Sequence, residues 1–258
     1  MDPATLGFDL SLEEYATAVG AAGFSAAEWP VTWADPGPLG DYAPTLAAFV
    51  AARVTPLQFT SGMGVPGNLA VRAKEFRRRL VDFAGHCRSG HAVGSTRAAA
   101  FFDDRCHGGV ELSEQEILGR ATAVAAVAAD HGVAVVIGWH GRRLLELCGR
   151  VYTSSGGAFG LIMDTYTLAR YGLGPKFVRT LPVGAVGWVR LGDAVVAEGF
   201  NLRLLPGGGT VDIAGIVRAC RSNGYSGPLS VEVNDAPPGT DARGKARRAY
   251  LCLEGVDL

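Results

Sequence analysis

Along the whole chain, short runs of apolar and β-branched residues alternate with longer amphipathic stretches. "TLGF" is followed by "SLEEYATAVGAAG", in which Ser11 is placed to cap a helix, Glu14 completes a capping box three residues on, and Gly23 ends the pattern. "FSAAEW" then leads into "DYAPTLAAFVAAR", "TPLQFT" into "NLAVRAKEFRRRLVDFAGHC", and "TRAAAFF" into "SEQEILGRATAVAAVAADHG", where Ser113 and Glu116 repeat the capping box. "VAVVIGW" precedes "RRLLELCGRV", "FGLIMDT" precedes "TLARYGLG", "AVGWVRL" precedes "VDIAGIVRACRSNGY", and "PLSVEV" precedes "GKARRAYLCLEGV". That is eight strand-then-helix units. No linker or change of composition separates them, so residues 1–258 read as one domain.

Continuous apolar strands separated by helices predict a parallel sheet covered on both faces, and eight units in this length suit a single (β/α)₈ barrel, the TIM-barrel form of the α/β class. The alternative is a doubly wound open sheet. Against it, no G-x-G-x-x-G follows the first strand, which is also short for a dinucleotide-binding half.

Composition narrows the function classes. The 258 residues are 48% hydrophobic and 19% charged, with a formal charge of −1, which gives no electrostatic reason to expect nucleic acid or an anionic membrane as partner. There is no apolar run of membrane-spanning length and no secretory pattern at "MDPATLGFDL", so the expected location is cytoplasmic. The five cysteines are scattered without a C-x-x-C pair, and none of the three lysines ends a predicted strand. Neither a thiol nucleophile nor a Schiff base is expected.

In a barrel the chemistry sits at the C-terminal ends of the strands. The polar residues there are Glu28, Asp103, Asp104, Arg105, His107, His140, Asp164, Arg190, Asp193 and Glu232. Strand parity puts Glu28, His140 and Glu232 on inward faces. An isolated carboxylate at such a place is usually a helix cap or a loop salt bridge. Asp164 and Glu232, however, interrupt strongly apolar runs, where a buried charge needs compensation.

"FGLIMDTYTLARYG", "VGWVRLGD", "RLLPGGGTVDIAGIVRACRSNGYSGPLSVEV" and "SLEEYATAVGAAGFSAAEW" together resemble the sugar phosphate isomerase/epimerase family, the xylose isomerase-like or endonuclease IV-like TIM barrels. The resemblance runs in order over nearly the whole chain and is most specific from Arg203 to Glu232. It implies a small-molecule substrate and is compatible with a homo-oligomer. It also implies one divalent metal held by two Glu, an Asp and a His. Asp164 and Glu232 match two of these ligands. The fifth-strand glutamate falls on Gly138 and the seventh-strand histidine on Arg190, with Asp193 three residues later; a further histidine falls on Thr167.

Glycine offers no ligand atom, and arginine stays protonated. The reading is therefore a metal-independent isomerase or lyase (dehydratase or cyclase), acting by acid/base chemistry α to a carbonyl, on a specialised and even secondary-metabolic substrate. Glu232, Asp164, His140 and Arg190 are the catalytic candidates, with Arg190 lying between the two carboxylates. Substrate binding is assigned to Glu28, Arg203, Asp193, His107 and Trp139. The parity of Trp139 favours core packing, while Gly138 beside it leaves space for a bulky substrate. The glycine-rich turn after Arg203 is a candidate cradle for an anion. No cofactor is expected. One alternative is a metal-dependent sugar or cyclitol epimerase or dehydratase, in which Asp164, Glu232 and His140 hold Mn²⁺ or Mg²⁺. Another is a non-catalytic binding or scaffold protein with the Arg190 cluster as a salt-bridge plug.

Overall fold

The computed structural model describes residues 1–7, 9–34, 42–60, 68–105, 109–195, 202–234 and 240–254. Seven parallel strands follow one another in the sheet in chain order: β1 (Ala26–Pro30), β2 (Thr55–Thr60), β3 (Arg97–Asp103), β4 (Ala134–His140), β5 (Gly160–Asp164), β6 (Val186–Leu191) and β7 (Leu229–Val231). Nine α-helices lie among the described residues: α1 (Leu12–Ala22), α2 (Ala43–Ala52), α3 (Ala73–Ala92), α4 (Glu114–Asp130), α5 (Arg142–Ser154), α6 (Thr165–Arg170), α7 (Pro175–Thr180), α8 (Ile213–Ser222) and α9 (Ala242–Glu254). The architecture is a TIM barrel. None of these helices is long and apolar enough to cross a membrane.

The local signals act where the sequence places them. Ser11 and Glu14 close a reciprocal capping box on α1, Gly23 ends that helix at φ 107°, and Ser113 with Glu116 does the same work at the start of α4. Such boxes satisfy N–H groups that the first helical turn leaves without intrahelical partners. On β4, Val135, Ile137 and Trp139 join the large apolar layer between sheet and helices, while Val136 joins a small cluster on the axis with Ala99, Ile162 and Trp188. This period-2 alternation fixes which side chains reach the barrel mouth.

One expected strand is absent among the described residues. Residues 5–7 of "TLGF" do not pair as a strand, and Phe8 lies outside the described residues; Pro3–Thr5 forms a single 3₁₀ turn capped by Asp2. The proline lacks an N–H and its φ suits the first helical position, so a turn is favoured over a ladder. Barrel closure passes to the residues just before it. The Asp2 N–H donates to Val231 O (2.9 Å), and the Glu28 N–H donates to Met1 O (2.9 Å), joining β7 to β1. Thr5 adds a second tie, its hydroxyl donating to Val231 O and accepting from the Val233 N–H, each at 3.2 Å.

Candidate active site

The mouth of the barrel is built around two guanidinium groups. Arg190, on β6, is buried at the axis. Its Nε donates to both Glu28 oxygens at 3.1 Å, its Nη1 donates to Glu232 at 2.9 Å, and its Nη2 pairs with Glu28 and, at 3.2 Å, with Asp2. Arg203 comes in from the loop after β6, donating from Nη1 to Asp164 at 2.6 Å and lying 3.4 Å from Glu232. Its guanidinium stacks over Tyr166, 4.6 Å from the ring centre. Glu232 is thus the carboxylate the two cations share. Arg190 lies on the strand between those of Asp164 and Glu232, opposite Asp164 in the ladder, but it bonds only Glu232 of the two: Asp164 pairs with Arg203, and the other partners of Arg190 are Glu28 and Asp2.

Glu28 is a second correction. It is 0% exposed, below Arg190, and its oxygens also accept from Gln58 (2.5 Å), Trp188 (3.0 Å) and Ser230. A carboxylate so enclosed has no face left for a substrate. Burial pushes its pKa up, but Arg190 and the Ser230 hydroxyl outweigh burial and hold it below the ordinary value. Asp164 is governed in the same way by Arg203 and by the Thr167 N–H, for which it serves as the cap of α6. Asp2 goes in the opposite direction. Burial and then the charge of Glu232 push it up to about 8, against the pull of Arg190.

His140 ends β4 and lines a narrow cavity of about 10 Å³, together with Phe101, Asp164, Thr167, Leu168 and Arg190. Burial lowers its pKa even though Asp164, Asp103 and Glu232 attract the charged form, so the imidazole is neutral at pH 7. Among the described residues neither ring nitrogen has a hydrogen-bond partner. Nor has Oε1 of Glu232, whose side chain is 18% exposed. On Arg203, Nε and Nη2 are likewise unpaired among the described residues. These three groups retain capacity for a ligand, in contrast to Glu28 and Asp164.

The remaining candidates are placed as follows. Gly138 lines the cavity, but the Phe101 ring takes the space a side chain there would need: a Cβ at Gly138 would lie 2.6 Å from Cδ1 and 2.8 Å from Cε1. Trp139 is one of the residues lining the cavity, while its indole is buried and packed on Phe102 (4.9 Å) and Phe159 (6.4 Å). Asp193 is buried and accepts from the N–H groups of Ala194, Gly207, Gly209 and Val211 at 2.8–3.0 Å. The glycine-rich turn therefore cradles an anion of the protein itself, and neither it nor Asp193 is left for a substrate. His107 and Cys106 lie outside the described residues. Burial pushes the Cys87, Cys148 and Cys220 thiols up to about 12, far from the thiolate a nucleophile needs.

Asp2, Gln58, Phe101 and Trp188 also belong to this site, without a sequence signal of the kind that marks the other residues. Asp2 precedes any strand, and the other three read as ordinary strand residues; alternation along β3 and β6 would have placed Phe101 and Trp188 on the axis. Among the described residues, no group of three or more His, Cys, Asp or Glu side chains is arranged to hold a metal ion.

A barrel of parallel strands with its polar groups gathered at the strand C-termini defines a TIM-barrel protein with an enzyme-type mouth. Residues 16–253 match the model of the xylose isomerase-like TIM barrel family, and the chain belongs to that family. Over 108 residues it is 33% identical to the 3-dehydroshikimate dehydratase of Pseudomonas putida, a match spanning 38% of this chain and 17% of that protein. Among solved structures, a xylose isomerase-like TIM barrel/4-hydroxyphenylpyruvate dioxygenase fusion protein superposes with a TM-score of 0.80 at 20% identity, covering 98% of this chain and 41% of the other. The IOLI protein with a bound zinc atom gives a TM-score of 0.80 at 16% identity, over 99% and 96% of the two chains.

Proposed function

We propose that the protein is a small-molecule isomerase or lyase that moves a proton α to a carbonyl without a bound metal. The observation that carries this reading is the Arg190 guanidinium on the barrel axis, compensating Glu28 and Glu232 as a cation would. The donor set does not fit a divalent ion. Gly138 supplies no ligand, Phe101 fills the space a longer side chain would need, and Asp164 and Glu232 already face arginines. Mg²⁺ and Mn²⁺ prefer more oxygen donors than are left.

In the proposed reaction the neutral His140 takes the proton from the α-carbon. The electron pair moves onto the carbonyl oxygen, and the developing enolate is met by the unpaired N–H groups of Arg203. Where the α-carbon carries a hydroxyl, passage of its O–H proton to the enolate oxygen and of the proton on His140 to the former carbonyl carbon gives isomerisation; a proton delivered to the opposite face by a second carrier, with His140 keeping the first, gives epimerisation. If the β-carbon carries a hydroxyl, transfer of the proton to that oxygen expels water and gives dehydration. Glu232 is a second proton carrier through its open Oε1, and Asp164 positions Arg203. The relative from P. putida supports trying 3-dehydroshikimate first, beside ketose sugars.

The test is turnover of these compounds by protein dialysed against a chelator. The expected result is activity that chelation does not reduce and that falls about 10²-fold or more in His140→Gln and Glu232→Gln, with circular dichroism unchanged. Activity that requires added Mn²⁺ would overturn the reading in favour of the metal-dependent alternative, which the zinc in the IOLI structure favours. Turnover insensitive to both substitutions would take His140 and Glu232 out of the chemistry.

A further inference from the structure

We infer that Phe101 is the residue that determines which cation the barrel mouth takes: its ring excludes a metal ligand from position 138 and seats the Arg190 guanidinium instead. This rests on the reading of Arg190 as the resident cation. Phe101 and Gly138 are direct partners across the β3–β4 ladder. The ring leans over the glycine so closely that any Cβ there would fall within 3 Å of two of its carbons, a separation at which repulsion forces one of them to move.

The partly buried ring is held by contacts on three sides. Its face lies 5.6 Å from the Arg190 carbon Cζ, and it meets the His140 imidazole at 5.4 Å and 83°. Below, it packs on the axial cluster of Ala99, Val136, Ile162 and Trp188. Rotating it away would give up a cation–π contact, an edge contact to the imidazole and apolar packing together. Position 138 is therefore glycine because position 101 is an aromatic ring, and the ring is useful because position 190 is a guanidinium. The three residues form one device. A divalent ion would require all three to change, not only the two at which a metal ligand is missing.

The experiment uses the full chain and Mn²⁺ alone as probe, with binding followed by calorimetry and electron paramagnetic resonance. The proteins are the native one, Gly138→Glu with Arg190→His, and the same pair with Phe101→Ala added. The expected result is one-to-one binding by the triple variant at least about tenfold tighter than by the pair. Equal binding by the pair and the triple, or no binding by the triple, would overturn the inference. Because these variants disturb a buried charge cluster, a gentler cycle runs beside them. Gly138→Ala should lower Tm by several degrees in the native background and cost nothing in a Phe101→Leu background; an equal cost in both overturns the inference. Neither measurement reads turnover, so a failed substrate search leaves both intact. Stoichiometric Mn²⁺ on the native protein would sink the metal-free reading, while the Gly138→Ala cycle would still judge the ring.

Discussion

Glu28 and Glu232 look alike in the sequence, since each ends an apolar strand on its inward face. Three-dimensional context separates them. Glu28 carries Arg190, Gln58, Trp188 and Ser230 on its two oxygens, whereas Glu232 keeps one oxygen open. No spacing rule shows this, because the partners come from β2, β6 and β7, as far as 202 residues away. The difference predicts opposite phenotypes. Glu28→Gln leaves a buried guanidinium short of its main counter-ion and should cost about 3–5 kcal/mol, read as a large fall in Tm or in the urea midpoint. Glu232→Gln, partly exposed, should cost far less stability. If the two lose equal stability, Glu28 is not the structural carboxylate of the pair. Phe101 was illegible for a simpler reason: an apolar residue in an apolar strand carries no signal until its neighbour proves to be a glycine it overlies.

Elements bounded by capping boxes and β-branched runs were readable in advance, because those signals act within a few residues. Errors arose where an element depends on distant partners. Residues 5–8 have a strand-like composition, yet the proline at position 3 and the cap from Asp2 make a turn of Pro3–Thr5, and closure falls to Met1 and Asp2. The glycine-rich turn has the composition of an anion cradle, and it is one, but its anion is Asp193, ten or more residues upstream of its donors. This gives a prediction at the level of the element. Asp193→Ala should remove several charge-assisted hydrogen bonds at once, costing about 3 kcal/mol or more. Hydrogen exchange should locate the loss: the amides of Gly207, Gly209 and Val211 lose protection while those of β4 and α4 keep theirs. Loss spread evenly through the barrel would mean that Asp193 supports the fold as a whole and not this loop.

At the scale of the molecule, a net charge of −1 hides a concentration of charge at one end of the barrel, where Asp2, Glu28, Asp164 and Glu232 meet Arg190 and Arg203. These groups set stability against pH in two opposing senses. Glu28 and Asp164 have folded pKa values below their unfolded ones, so they stabilise the fold above the ordinary carboxylate range, and this is lost as pH falls through their folded values. Asp2 has a folded pKa of about 8, above its unfolded value. The folded state therefore holds its proton more tightly, and the stability this confers is present below about pH 4 and lost as pH rises toward 8. Asp2→Asn imitates the protonated side chain and keeps an oxygen to accept from the Ala4 N–H. Urea unfolding at about pH 4.5, 6, 8 and 9 should then show variant and native close together at the acid end, the variant pulling ahead as pH rises, and the gap level above pH 8. Should the native protein instead gain on the variant with rising pH, Asp2 is ionised in the fold and acts as a full counter-ion of Arg190, leaving the cluster with one more negative charge for its two arginines to balance.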